Sequence, residues 1–502
     1  MHTLVVPFTL FNFSINTQLL ATKTKHTTHH NKETKIQYFN MGTLYQPLES
    51  TIQDLKVTIH DTSLVFPSQE TPKKPMFLSN IDQVLNFDVQ TLHFFNANPE
   101  FPPDIVIERL RIALSRVLVH YDFLAGRLTM NQESKRLEFD CNSDAGAVFM
   151  VASSELTLKE IGDLVYPNPA FKQLIVHENI DHLEKDDKPL CIIQVTSFKC
   201  GGFAMGFSTN HITFDGISFK TFLQNLASQA FDHDDNNNPK PLAIVPCNDR
   251  TLLAARTPPR VTFPHVELLK LEVPIGEELN PKVFETLQEE LDFKIFSLNS
   301  SDINSLKEKA KDKNAPNAKI TSFNVVTSYV WRCKALSCDV ENNSERISTV
   351  LFAVDIRPRL NPPLPQSYAG NAVLTSYASA TCHELEEGPF GKIVALVSQG
   401  GKRMNDEYAR SAIDWGEIYK GFPNGEFLLS SWWKLGFSQV EYPWGKPKYS
   451  CPVVSHTKHI ILLFPNIDDG MSNNNDGVNI LVALPPKQMK KFESYFHKFL
   501  LD

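Results

Sequence analysis

The chain has 502 residues, 42% hydrophobic and 21% charged, ordinary values for a globular protein that exclude a mostly disordered or fibrous one. The formal net charge of -8 leaves no basic excess to serve nucleic acid, and no stretch approaches the ~18 consecutive apolar residues of a membrane-spanning helix. The 8 cysteines are dispersed and form no CxxC pair, a pattern that predicts reduced thiols in a cytoplasmic protein, not a zinc site or a disulfide framework.

Residues 1–40 differ from the rest. No Lys or Arg precedes the apolar run Leu4 to Phe11, residues 21–35 are rich in Thr, Lys and His, and no Arg occurs before Arg109. Neither a secretory signal nor a transit peptide fits, and the segment reads as a disordered extension ahead of Met41. From Val57 onward strands and helices alternate. Val84 to Phe95 has strand-like spacing. Asp104 can cap a helix with apolar positions Ile105, Leu110, Leu114, Val117 and Leu118, with Gly126 as a breaker beyond it. Ile192 to Phe198 and Phe203 to Phe207 read as two strands joined at Gly201-Gly202, and a helical pattern resumes at Ile217.

Residues 232–265 predict a linker. Asp232 to Pro239 is polar and of low complexity, and Pro241, Pro246, Pro258, Pro259 and Pro264 follow; such a segment is expected to cross an exterior surface. A second half then shows helices over Ser300 to Ala310 and Ser322 to Lys334, strands over Ile347 to Val354 and Ile460 to Phe464, and a polar loop over Asp468 to Gly477. The reading is two comparable α/β halves, 41–231 and 266–502, joined by a crossover.

The sharpest local feature is His211-Ile212-Thr213-Phe214-Asp215-Gly216, between an apolar strand and a helix. A histidine at the end of a strand is held rigidly and exchanges a proton near neutral pH. Gly216 allows a tight turn into the helix, and Asp215 can orient the ring or hold the loop. The same residues also fit a satisfied core histidine beside a helix-capping aspartate. A second segment is aromatic, with Trp432 and Trp433 followed by Glu441-Tyr442-Pro443-Trp444-Gly445-Lys446-Pro447. Two prolines make it a rigid turn, on which an indole N–H can point into a cleft or simply pack. A third, Asp355-Ile356-Arg357-Pro358-Arg359, reads equally as a buried ion-pair partner or a solvated loop.

Together these segments resemble the plant BAHD acyltransferases, which transfer acyl groups from coenzyme A. His211 to Gly216 looks like that family's HxxxDG site. Leu78 to Asp82, Leu118 to Leu128, Asp249-Arg250 with Ala255-Arg256, Val354 to Arg357 and Gly370-Asn371 resemble further signatures, so that the likeness runs from about Val57 to Phe499. The second signature departs from the usual DFGWG, because Glu441, Tyr442 and Pro443 replace its first three residues.

The resemblance implies an α/β, two-domain chloramphenicol-acetyltransferase-like fold, each domain a mixed sheet with flanking helices, the two meeting at a solvent channel. It implies His211 as general base, Trp444 as candidate donor to the oxyanion, and Asp215, Gly216, Asp355 and Arg357 as structural residues of the site. Asp215 would pair with Arg357, or secondarily Arg359, and not relay charge. No bound cofactor or metal is implied; acyl-CoA is a co-substrate. The expected acceptor is an apolar alcohol, a phenylpropenyl alcohol or a long-chain hydroxy-lipid, with an amine or polyamine, or a non-catalytic protein of the same fold, as alternatives. A monomer is expected. Lys434 reads as a contact for an anionic acceptor or the CoA phosphates, or as a solvated side chain.

Other catalytic patterns fail on their residues. No GxSxG nucleophile elbow exists, Gly400-Gly401-Lys402 is followed by Arg403 and not Ser or Thr, and His211 with Asp215 lacks a convincing third metal ligand.

Overall fold

The computed structural model describes residues 42–45, 52–141, 145–165, 167–175, 187–231, 240–271, 290–311, 319–338, 344–453, 457–466 and 477–501. The extension 1–40, the stretch 232–239 and the loop 468–476 lie outside them. Met41–Asp502 forms one compact unit.

Two sheets organise it. The first has six strands in the order Tyr449–Pro452, Asp88–Phe95, Phe203–Asn210, Cys191–Phe198, Ala147–Ser154 and Val57–Val65. The second has seven, in the order Thr43–Leu44, Asp292–Leu298, Val478–Leu484, Ile460–Pro465, Phe427–Ser431, Ile347–Asp355 and Val373–Thr381. Each is mixed: Ala147–Ser154 runs parallel to Cys191–Phe198, and Phe427–Ser431 runs parallel to both its neighbours. The sheets do not divide at one point of the chain, since the late strand Tyr449–Pro452 joins the first sheet and the early strand Thr43–Leu44 joins the second.

The strand Asp88–Phe95, second in the first sheet, is buried on both faces from Thr91 onward, which is why its apolar residues run together without clean alternation. Phe95 joins a cluster with the helices Pro103–Val117 and Gly216–Ala230, whereas Leu92 and Phe94 turn to the opposite face. On that face they share a cluster with Ile295, Phe464 and Leu481 of the second sheet, so apolar burial holds the two sheets together. The second sheet is covered by the helices Ser300–Lys309, Ser322–Leu336, Phe390–Arg403 and Pro486–Leu501, which contribute Ile303, Val330, Val397 and Phe496 to its core.

The hairpin read at Gly201-Gly202 forms between Cys191–Phe198 and Phe203–Asn210; Gly201 takes a φ of 82°, which a glycine adopts freely. Two local expectations are corrected. Asp104 does not cap its helix. The N-cap is Pro102, Pro103 opens the helix with its φ already helical, and Asp104 sits in the first turn. The crossover is not confined to an exterior surface either. Arg250 and Leu253 are buried, and the Arg256 side chain binds Asp414 at 2.6 Å and Glu407 at 3.0 Å. Proline-rich composition reports the lack of regular backbone, not where the side chains go.

Candidate active site

His211 follows the last residue of Phe203–Asn210, at the edge where that strand pairs with Asp88. Its backbone N–H donates to the Phe87 carbonyl at 2.8 Å, and its ring lies 5.2 Å from the Phe87 ring. Phe87 is itself 41% exposed, so one flank of the imidazole borders an open aromatic surface. Desolvation lowers the His211 pKa below the usual histidine value, only partly opposed by a hydrogen bond to the residue's own backbone, by Asp215, by Asn371 and by Asp82. The neutral ring, the form that accepts a proton, is therefore favoured at neutral pH.

The loop after His211 is held from three directions. Asp215 caps the helix Gly216–Ala230, its Oδ1 accepting from the N–H groups of Ile217 and Ser218 at 3.1 and 2.9 Å. Its Oδ2 accepts from the Ala372 N–H at 2.8 Å and faces Arg357 Nη2 at 2.9 Å. Arg357 also donates from Nη1 to Asp355 at 3.1 Å and from Nη2 to Ser218 Oγ at 2.7 Å. Both oxygens of the Asp215 carboxylate are thus engaged by backbone N–H groups and Arg357. Arg359 instead donates to the carbonyls of Gly401 and Met404 at 2.6 and 3.1 Å.

Gly216 lies against a neighbouring side chain and does not open the helix through a left-handed turn. Its φ is not left-handed; a Cβ there would meet Leu435 Cδ1 at 2.6 Å. The glycine admits the segment that follows Trp433, not a turn.

Trp444 lies elsewhere. It packs against Phe95 and Phe203, with ring centroids 6.4 and 6.1 Å away, and stacks on Tyr442 at 5.3 Å. Phe95 and Phe203 form one end of a strand pairing whose other end is Asp88 with Asn210. Seven residues of strand, roughly 23 Å at ~3.3 Å each, separate that end from the one His211 follows. The register thus sets the Trp444 ring toward the strand end remote from His211, where the segment forms a packed aromatic turn. Its Nε1 is buried without a partner among the described residues. Glu441 makes a surface pair with Lys446 at 3.6 Å, and Lys434 is exposed with its ammonium 5.0 Å above the Trp433 ring.

Three residues of the site had appeared only inside family-like strings. Asn371 bonds the imidazole, with Oδ1 3.1 Å from His211 Nδ1. Asp82, from the short helix Asn80–Gln83, accepts from Asn371 Nδ2 at 2.8 Å and from Arg250 Nη1 at 2.9 Å. Arg250 also donates to the carbonyls of Ile212 and Thr213 at 3.1 and 2.8 Å. The signal available in sequence was a lone polar residue within Tyr368-Ala369-Gly370-Asn371-Ala372 and an arginine in an otherwise irregular crossover.

Among the described residues, no three His, Cys, Asp or Glu side chains gather into a group that could hold a metal, and no helix is long and apolar enough to cross a membrane. All 8 cysteines are free. The arrangement supplies a rigid, desolvated imidazole able to accept a proton, braced by two buried ion pairs.

Comparison with known proteins bears on what that imidazole serves. The Transferase family model matches residues 55–499. A protein of Arabidopsis thaliana named Acyltransferase GLAUCE is 59% identical over 92% of this chain and 100% of its own length. A second from the same plant, a fatty alcohol:caffeoyl-CoA acyltransferase, is 34% identical over 88% of this chain and 98% of its own. Among solved structures, that of TRI101 from F. graminearum, complexed with coenzyme A and deoxynivalenol, superposes with a TM-score of 0.65 at 16% identity, covering 84% of this chain and 97% of that one; it is a likeness of fold.

Proposed function

This chain belongs to the plant BAHD acyltransferases of the Transferase family, and on that footing we propose that it moves an acyl group from a CoA thioester to the hydroxyl of an apolar alcohol, with His211 as general base. The observation that carries the mechanism is the His211 ring. Nδ1 is engaged by Asn371, and no partner for Nε2 occurs among the described residues. Nε2 takes the proton of the acceptor hydroxyl as its oxygen attacks the thioester carbonyl, forming a C–O bond and a tetrahedral oxyanion. Collapse breaks the C–S bond, and the imidazolium returns its proton to the leaving thiolate, so the base is regenerated without an acyl-enzyme. Asp215 and Arg357, with Asp355 beside them, hold the loop and take no part in proton transfer.

The named activity of the fatty alcohol:caffeoyl-CoA relative supports an aliphatic primary alcohol as acceptor and a hydroxycinnamoyl thioester as donor. The test is a panel of acetyl-, caffeoyl- and feruloyl-CoA crossed with hexadecanol, coniferyl alcohol and putrescine, read by mass spectrometry on the full chain. Ester products that disappear in His211→Ala, with a loss of at least ~10²-fold, are expected. Amide products alone, no product from any pair, or near-normal turnover in His211→Ala would overturn the reading.

A further inference from the structure

Asn371 has no exposed surface, and its side-chain amide is enclosed by identifiable partners. Around Nδ2 lie three oxygens: Asp82 Oδ1 at 2.8 Å, the His211 carbonyl at 2.9 Å and the Ile212 carbonyl at 3.2 Å. The carbonyls have no proton to donate, and neither does the Asp82 carboxylate paired with Arg250. The amide end among them has to be the NH₂ group. That fixes the other end, Oδ1, against His211 Nδ1 at 3.1 Å. An amide oxygen only accepts, so Nδ1 carries the hydrogen, and in the neutral ring the lone pair is on Nε2.

We infer that Asn371 is a positioning residue that locks the His211 tautomer, and that the buried Asp82–Arg250 pair locks the amide in turn. The chain of contacts is continuous. Arg250 binds Asp82 at 2.9 Å, with side chains 1% and 0% exposed, and also holds the backbone of the loop through Ile212 and Thr213. Asp82 is itself anchored, with Oδ2 accepting from the N–H and hydroxyl of Ser79 at 2.9 and 2.8 Å. Segments far apart in sequence thus meet on one ring.

An amide suits this position better than a carboxylate. The charged groups nearest His211 are Asp82 and Asp215, both acting to favour the imidazolium, and each is answered by its own arginine, Arg250 or Arg357. Asp88, opposite Asn210 in the strand pairing, is exposed to solvent. A third carboxylate at position 371 would tip this balance toward the protonated ring and disable the base; a neutral acceptor orients the ring without doing so.

The inference rests on His211 being the base, yet the tautomer can be read without catalysis. In full-chain protein labelled with ¹⁵N histidine, long-range ¹⁵N–¹H correlation, with His211 assigned by its loss in His211→Gln, should show Nδ1 protonated in the neutral ring. The backbone carbonyl of His211 itself is a second acceptor for Nδ1–H, so Asn371→Leu should raise the share of the Nε2-protonated tautomer without abolishing the other. With caffeoyl-CoA and hexadecanol, its kcat should fall on the order of 10-fold or more, within the ~10² to 10⁴ that a positioned general base contributes. KM for the thioester should stay within about twofold, because no contact to substrate is removed. The acid limb of its kcat/KM profile should move to lower pH, since the bond from Nδ1–H to Asn371 favours the imidazolium. A merely structural residue would leave that limb in place. Protonated Nε2 in the wild type overturns the inference even if Asn371→Leu does not fold, and so does an unchanged kcat in a folded variant. Turnover surviving in His211→Ala would overturn the base assignment and leave the tautomer result standing.

Discussion

Asp215 and Arg357 lie 142 positions apart in sequence and meet at 2.9 Å, with side chains 3% and 4% exposed. One partner caps the helix behind the His211 loop, and the other follows a strand of the second sheet. Removing Arg357 leaves the buried Asp215 without a counter-charge, a loss of ~3 to 5 kcal/mol, whereas removing Asp215 leaves Arg357 paired with Asp355 and costs less. Asp215→Asn and Arg357→Gln should each lower stability as well as turnover. Their double variant should be less damaged than the sum of the singles. Denaturant unfolding of the four proteins measures this, and strict additivity would sink the coupling.

How much of this was legible in the sequence depends on the range of the interaction. The strand Phe203–Asn210, the helix Gly216–Ala230 and the loop between them follow from local apolar pattern and one capping residue, and all three form. The strands Ile347–Asp355 and Ile460–Pro465 formed within a residue of their expected bounds. The partner of Asp215 came only through family resemblance, because no local rule connects positions 215 and 357. Asn371 and Arg250 stayed hidden as site residues because their roles arise only when three or four distant segments converge. Trp444 shows the complementary limit. Its turn chemistry was readable, but which end of a strand the turn packs on is settled by pairing register, which composition does not carry.

Acid sensitivity should be visible at His93, a histidine unconnected with the proposed chemistry. It is 1% exposed, bonded to Ser450 Oγ at 2.8 Å, and burial pushes its pKa down from 6.5 to about 3. Between those values the unfolded chain binds a proton that the folded one refuses, so stability rises with pH across this window. The contribution is fully present above pH 6.5 and is lost as pH falls toward 3. At ~1.4 kcal/mol per unit it amounts to about 2 kcal/mol by pH 5. His93→Gln, which keeps hydrogen-bonding capacity without titrating, should lose less stability than wild type between pH 7 and pH 5. Equal losses in the two proteins would refute the assignment.

The Gly216–Leu435 contact gives a third expectation. A methyl group at 216 would approach Leu435 Cδ1 to 2.6 Å, closer than packing allows. Because Leu435 is half-buried and the clash is with its terminal methyl, the cost should lie at the low end for overpacking, ~1 kcal/mol. Gly216→Ala should destabilise the protein by that order, and Leu435→Ala introduced beside it should recover part of the loss by making room. If the second substitution only adds damage, the glycine is required by its backbone and not by its neighbour.

Trp444 provides the sharpest separation between a residue at the chemistry and one that only packs. Its ring closes an aromatic cluster with Phe95, Phe101, Phe203 and Tyr442, at the strand end remote from His211. Its indole nitrogen has no partner among the described residues, so replacing it orphans nothing. Trp444→Phe keeps an aromatic ring in the cluster and trims its volume, a change expected to lower stability by ~1 to 2 kcal/mol. Turnover per folded molecule should stay within about threefold of wild type, whereas loss of a true oxyanion donor costs ~10² to 10³ in kcat. Steady-state rates normalised to folded protein, measured well below the melting temperature, distinguish the two. A loss of a hundredfold or more with the fold intact would bring Trp444 back into the active site and contradict the strand register that places it at the far end.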